Sequence, residues 1–77
     1  MKKLTKKHEE LISFIEHMLS ISISDKVDAR SSSRKNLTID TYELNENDIR
    51  LIEYLGYKNN RYRVEPNGYK RIALVVS

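Results

Sequence analysis

This chain has to fold without disulfide cross-links, because its 77 residues include no cysteine. Without thiols it has no disulfide, no thiolate metal site and no cysteine nucleophile. A domain this short builds a small core and has little spare stability. Apolar residues nevertheless make up 39% of the chain, which is typical of a globular rather than a disordered protein. The sequence therefore predicts one small, marginally stable domain over residues 1–77.

The lack of cysteine also indicates a reducing compartment. The Met-Lys-Lys start is followed by charged residues through Glu10, so the continuous apolar stretch of a signal peptide is missing. No apolar run approaches the length of a membrane span. We expect a cytoplasmic protein that does not associate with a membrane.

Two segments have the period of amphipathic helices. Over residues 5–19, apolar side chains recur at about 100° per residue, and Thr5 is placed as the N-cap. A second helix begins after Asn45, which can cap it, and acidic residues fill its first turn. Gly56 is predicted to be the C′ residue that ends this helix. The residues expected on its buried face are Ile49, Ile52 and Leu55.

Alternating apolar and polar residues predict the strands. Residues 20–24 predict a short strand or a frayed helix end, and residues 36–42 predict a strand that could pair with it. From Tyr57 the pattern becomes that of a hairpin, with Tyr62 and Val64 alternating with charged residues and turn residues at 66–68. Its return strand is 69–76, and the final run from Ile72 is nearly continuously apolar, which suits a central strand or an outer face that something covers.

The predicted fold class is α+β. The order helix, weak strand, strand, helix, strand, strand indicates a two-layer domain, with two helices packed on a small, mostly antiparallel sheet that ends in a C-terminal β-hairpin. Residues 25–35 are polar and lack a period, so we expect a mobile surface loop. Its serines lie between Arg30 and Arg34 and could contact phosphate, although a solvated loop is the favoured interpretation.

No group of residues resembles a catalytic centre. His8 and His17 lie nine positions apart on opposite sides of the first helix, so they cannot converge on a metal within one chain. The two glycines are too few for a glycine-rich phosphate loop, and no nucleophile motif surrounds any serine. We expect a non-enzymatic protein without metal or cofactor. His8 is expected to be partly buried, with an interface donor or a pH-sensitive group as the alternative.

Charge is segregated along the chain. Residues 36–56 carry five acidic side chains and one basic side chain, whereas residues 57–77 carry five basic and one acidic. If Tyr62 and Val64 face the core, the side chains that alternate with them form an outward basic face, and guanidinium groups bind phosphate while aromatic rings stack on bases. The candidate residues for binding nucleic acid or a partner are Lys58, Arg61, Arg63, Tyr69, Lys70 and Arg71.

Two functions fit these observations. The favoured one is a small binding protein that docks on a larger protein partner, because a net charge of +3 and the acidic middle segment limit nonspecific affinity for phosphate. The alternative is a nucleic-acid-binding module that works through the hairpin.

Size, the lysine-rich start and the lack of cysteine and catalytic residues resemble the accessory proteins of bacteriophages and other mobile elements, which include inhibitors of host enzymes or defence systems. This is a resemblance of type rather than of sequence. We also expect a homodimer as one way to cover the apolar surface of the first helix, with Phe14, and of the last strand.

Overall fold

The computed structural model describes residues 4–42, 44–68 and 70–76. It has two helices and three strands, and the strands form one antiparallel sheet in the order β1-β3-β2. The elements are α1 (Lys6–Leu19), β1 (Asn36–Asp40), α2 (Glu46–Asn59), β2 (Tyr62–Pro66) and β3 (Arg71–Val76). The predicted α+β fold with a C-terminal hairpin is confirmed.

Helix α1 begins at a capping box. The Thr5 hydroxyl accepts the His8 backbone N–H at 3.2 Å, and the Nδ1 of His8 accepts the Thr5 N–H at 3.4 Å. These two bonds satisfy donors that have no partner within a helix, which is why the helix starts here. The helix ends at Ser20 in a left-handed conformation with φ 54°. Leu11, Ile12 and Ile15 are buried, but Met18, expected in the same stripe, is 53% exposed.

The strand predicted over residues 20–24 is wrong, because the backbone there is bound by a carboxylate instead of another strand. The Glu16 side chain accepts the N–H groups of Ile23 and Ser24 at 2.8 and 3.0 Å. The Ile23 N–H and the Ser24 hydroxyl, which donates to the same carboxylate oxygen at 2.8 Å, lower the pKa of Glu16. Ile23 is still completely buried, so the apolar residue reaches the core without sheet pairing. A short 3-10 helix, Ser24–Lys26, follows, and β1 pairs with β3.

The segment 27–35 starts along the free edge of β1, where Val27 forms an isolated antiparallel bridge with Ile39, and then lies on the sheet face that Thr38 occupies. Thr38 is fully buried although its neighbours along β1, Leu37 and Ile39, face the core. Its hydroxyl donates to the Ser31 carbonyl at 2.9 Å, and its carbonyl accepts the Asp28 N–H at 2.9 Å. The segment thus covers part of the outer sheet face with hydrogen-bonded backbone. Its mobility stays a prediction.

Helix α2 starts where the sequence predicts and ends later. The Asn45 side chain caps it by accepting the Asp48 N–H at 2.8 Å. Gly56 does not end the helix, which continues to Asn59 and ends at Asn60 with φ 54°, so the hairpin predicted from Tyr57 begins only at Tyr62. Gly56 instead lies against the Tyr62 ring, where a Cβ would come within 2.7 Å of Cδ2 and 2.8 Å of Cζ. The glycine therefore permits close packing of α2 on β2.

Strand β3 is central, as its continuous apolar run predicts. Leu74 pairs with Leu37 on one side and Val64 on the other, and it is fully buried. Ala73, on the opposite sheet face, is only 7% exposed beside Thr38. Neither α1 nor α2 is long and apolar enough to cross a membrane, nor is any other helix among the described residues.

Candidate functional site

The three hairpin arginines do not form one free guanidinium face. Arg63 and Arg71 alternate with the core-facing residues of their strands and lie on the outer sheet face. Arg63 forms an ion pair with Glu65, with Nη2 2.8 Å from Oε2. Arg71 lies 3.6 Å from a carboxylate oxygen of Asp28. Both charges are therefore partly balanced before any ligand binds.

Arg61 lies away from this outer face, contrary to the alternation predicted for the hairpin. Its guanidinium carbon is 4.3 Å from the centre of the Phe14 ring on α1. A cation this close to a ring face is held by the ring quadrupole. The contact therefore joins the start of β2 to α1 and does not leave Arg61 beside Arg63.

The remaining candidates are spread over three places. Lys58 is on α2, with Nζ 5.8 Å from the centre of the Tyr54 ring. Lys70 precedes β3 in a left-handed conformation with φ 57°, and its carbonyl accepts the Thr41 N–H at 2.8 Å. Tyr69 lies outside the described residues. Binding of nucleic acid or a partner by the six predicted residues stays a prediction.

Helix α2 presents an aromatic face, formed by Leu51, Tyr54 and Tyr57, which the sequence analysis does not single out. These side chains are 38%, 58% and 85% exposed, respectively. They are three residues apart, so they run along the side of the helix opposite the buried Ile52 and Leu55. The sequence signal for this face is the spacing itself. On a helical wheel with Ile52 and Leu55 turned to the core, the residues of the α2 aromatic face fall on the other side.

The charges around the α2 aromatic face cancel. The exposed charged residues on this part of α2 are Glu46, Arg50, Glu53 and Lys58, two of each sign. Their sum gives no net attraction for phosphate. Exposed aromatic residues with balanced charge are typical of the centre and rim of protein–protein interfaces.

A cleft of about 440 Å³ lies beside the α2 aromatic face, between α2 and β2. Tyr62 is buried at the inner end of this site, and its hydroxyl donates to the Ile52 carbonyl. Burial raises the pKa of Tyr62 well above its usual value, so the hydroxyl stays protonated. The residues that line the cleft are Glu53, Gly56, Tyr57, Asn60, Tyr62, Arg63 and Val64.

Comparisons with protein-family models, with curated proteins and with solved structures gave no match to this chain. Within residues 4–42, 44–68 and 70–76, no three His, Cys, Asp or Glu side chains are grouped so that they could hold a metal ion. Function therefore has to be argued from the surfaces of the molecule.

Proposed function

We propose that this protein docks on a larger protein through the α2 aromatic face. The observation that carries the proposal is the exposure of three large apolar side chains on one helix, with Tyr57 at 85%. Tyrosine is enriched among the few interface residues that supply most of the binding free energy, because it buries a large area and loses little entropy. On an unbound monomer, these side chains leave apolar area in water.

The same surface favours a protein over nucleic acid as the partner. Nucleic-acid affinity depends on cations that neutralise phosphates. The charges beside the α2 aromatic face sum to zero, and Arg63 and Arg71 on the hairpin already face Glu65 and Asp28. Binding through the hairpin is therefore the weaker candidate.

The geometry favours a partner with an apolar groove that accepts a helix. Side chains at intervals of three or four residues are the anchors in that mode of recognition. The adjacent cleft can receive a side chain of the partner next to Tyr57. A protein of this size acts on a larger one by covering part of its surface, which fits a regulator or inhibitor. We further propose that it acts in the cytoplasm, where a chain without cysteine needs no disulfides.

The test is capture from native lysate with three tagged forms of the chain. The wild type and Tyr42→Ala should retain the same stoichiometric protein, whereas the double variant Tyr54→Ala, Tyr57→Ala should lose it. Tyr42 is the matched control, since it is 68% exposed and follows β1 rather than lying on α2. Truncating one interface hot spot costs about 2 kcal/mol or more, which is about 30-fold in affinity.

Two outcomes would contradict the proposal. The first is capture of nucleic acid alone, which would favour the hairpin module. The second is capture that the double variant leaves unchanged. Sedimentation of the pure protein at micromolar concentration tests whether the chain forms a homodimer. A dimer that dissociates in the double variant would show that the α2 aromatic face binds a second copy of this chain.

A further inference from the structure

Strand β2 forms an edge of the sheet that the described part of the chain leaves unpaired. The hairpin is hydrogen-bonded at Asn67, whose N–H donates to the Arg71 carbonyl at 3.1 Å. Such bonded pairs recur at every second residue of an antiparallel ladder. Arg63 and Glu65 therefore bond β3, whereas the N–H and carbonyl of Val64 point away from it. Outside the ladder, no hydrogen bond among the described residues involves the Val64 backbone.

The other edge of the sheet, along β1, is already occupied. The Thr38 carbonyl accepts the Asp28 N–H at 2.9 Å, and the Thr38 N–H donates to the Ser32 hydroxyl at 3.0 Å. Proteins cover their sheet edges or interrupt them with proline, because an unpaired edge binds other strands. On the β2 edge, Pro66 has no N–H to donate, but Val64 keeps both of its backbone groups. The β2 edge is therefore short and available.

The β2 edge opens into the cleft beside α2. Gly56 and Tyr57 line this cleft of about 440 Å³ from α2, and Arg63 and Val64 line it from β2. Val64 is half-buried, and Tyr57 is 85% exposed. Since neighbouring strands lie about 4.8 Å apart, one extended segment can lie beside β2 with α2 along one of its faces. Extended peptides bind in this way when they add a strand to a sheet.

The side chains on either side of Val64 determine which segment fits. Arg63 and Glu65 are exposed on the outer sheet face and form an ion pair with each other at 2.8 Å. A strand that pairs with β2 places one residue opposite each of them on the same face. An acidic residue opposite Arg63 and a basic residue opposite Glu65 extend this pair into alternating charges. The residue between them faces the same side as Val64, toward the cleft, where an apolar side chain fits.

We propose that the β2 edge binds an extended segment of the partner protein by antiparallel strand addition. The segment carries a basic, an apolar and an acidic residue in that order, which stand opposite Glu65, Val64 and Arg63, respectively. In antiparallel pairing, one residue of the segment exchanges both hydrogen bonds with Val64. The inference rests on the proposed function for the origin of this segment, because it adds a second contact with the partner that binds the α2 aromatic face.

A second copy of this chain fits the β2 edge less well than such a segment does. Two β2 strands paired antiparallel about Val64 would place Pro66 of each copy opposite Tyr62 of the other. Because proline has no N–H, a hydrogen bond would be missing at each end. Both α2 helices would also lie on the same sheet face, over strands about 4.8 Å apart, whereas packed helices need about 8–10 Å.

The probe is the capped peptide Thr-Lys-Val-Glu-Thr, which is titrated into the ¹⁵N-labelled protein and followed by NMR. We expect saturable shifts at the Val64 N–H and slower hydrogen exchange there. The matched control is Thr-Glu-Val-Lys-Thr, which has the same composition but places like charges opposite Arg63 and Glu65. It should bind about fivefold or more weakly, since like charges opposite each other destabilise a strand pair.

Two changes each remove one backbone donor. N-methylation of the peptide valine removes the donor to the Val64 carbonyl and leaves the protein unchanged. Val64→Pro removes the Val64 N–H, which points away from β3, so the ladder keeps its hydrogen bonds. Each change should weaken peptide binding about tenfold or more, because a hydrogen-bonding group is left without its partner. Val64→Thr keeps the N–H and should bind nearly as the wild type does, and thermal melts show whether each variant is folded.

Three results would overturn the proposal. They are no saturable shift at Val64 with the peptide at up to about 10 mM, binding of the control peptide as tight as that of the probe or tighter, and binding that N-methylation leaves unchanged. A dimer that Val64→Pro dissociates would also overturn it, by assigning the β2 edge to a second copy.

The proposed function fails by a different observation. Capture from lysate that Tyr54→Ala, Tyr57→Ala leaves unchanged contradicts the α2 aromatic face, whatever the peptide does. Capture that the double variant abolishes, together with no peptide binding at Val64, overturns the β2 edge alone. If both hold, Val64→Pro should weaken capture of the same partner about tenfold.

Discussion

Replacing Gly56 by alanine tests how α2 packs on β2. In an exposed helix interior this change stabilises by about 1 kcal/mol, because glycine is a poor helix former. Here the new Cβ would meet the Tyr62 ring, at 2.7 Å from Cδ2. The ring cannot move freely, since it is 3% exposed and its hydroxyl is bonded to the Ile52 carbonyl.

The magnitude follows from three contributions. Overpacking a core costs about 1–3 kcal/mol, and loss of the Tyr62 hydrogen bond costs about 1 kcal/mol. The gain in helix propensity offsets about 1 kcal/mol of this. We therefore expect Gly56→Ala to lower the free energy of unfolding by about 1–3 kcal/mol. In a domain of this size that is a fall in Tm of about 4–24 °C.

Thermal and urea unfolding followed by circular dichroism measure this loss. The control is Asn60→Gly, at the left-handed residue that ends α2, and it should stay within about 1 kcal/mol of the wild type. In a Tyr62→Leu background, Gly56→Ala should lose most of its cost, since the ring is gone. A Gly56→Ala protein more stable than the wild type would refute the packing argument.

Three further predictions concern the core, pH and nucleic acid. Ile52→Ala and Leu74→Ala should each destabilise by about 2–5 kcal/mol, since both side chains are fully buried; a melt within a degree or two of wild type would contradict this. Burial raises the pKa of Tyr62, so above pH 10 the unfolded state loses the hydroxyl proton before the folded state does. The free energy of unfolding should therefore fall as the pH rises, and pH-dependent melts of Tyr62→Phe should show a shallower fall. Gel shifts with oligonucleotides at about 50 and 200 mM salt should show no shift that depends on the hairpin. Binding with a steep salt dependence that the double variant Arg61→Glu, Arg63→Glu removes would instead assign nucleic-acid binding to the hairpin.

Local hydrogen bonds account for what the sequence predicts well. The caps at Thr5 and Asn45 involve side chains three residues from their partners, so the residue types alone locate both helix starts. The apolar run of β3 likewise fits its place between β1 and β2, where both edges of the strand are paired.

Contacts with a side chain of a neighbouring element account for what the sequence does not show. The alternation at 20–24 indicates a strand, but the Glu16 carboxylate takes its backbone donors. Glycine is the residue type that commonly ends a helix, but Gly56 lies within α2, where the Tyr62 ring, six residues later, leaves no room for a Cβ. In both cases a side chain from another element overrides the structure that the local sequence favours, a strand at 20–24 and a helix end at Gly56.

The candidate site also combines features that the local sequence predicts with features that depend on other elements. The basic residues of the hairpin are visible in the sequence, but their counter-charges are not: Asp28 reaches Arg71 from the segment before β1. The α2 aromatic face, by contrast, follows from helical spacing once Ile52 and Leu55 are known to be buried.

The central claim, docking of a protein on the α2 aromatic face, is tested most directly by photo-crosslinking in native lysate. A p-benzoylphenylalanine replaces Tyr57 in one form of the chain and Tyr42 in the other, because both positions hold exposed tyrosines. We expect one crosslinked protein species from position 57, absent from position 42 and suppressed by excess unlabelled wild type but not by Tyr54→Ala, Tyr57→Ala. Equal crosslinking at both positions, or crosslinks from position 57 to nucleic acid alone, would contradict the account.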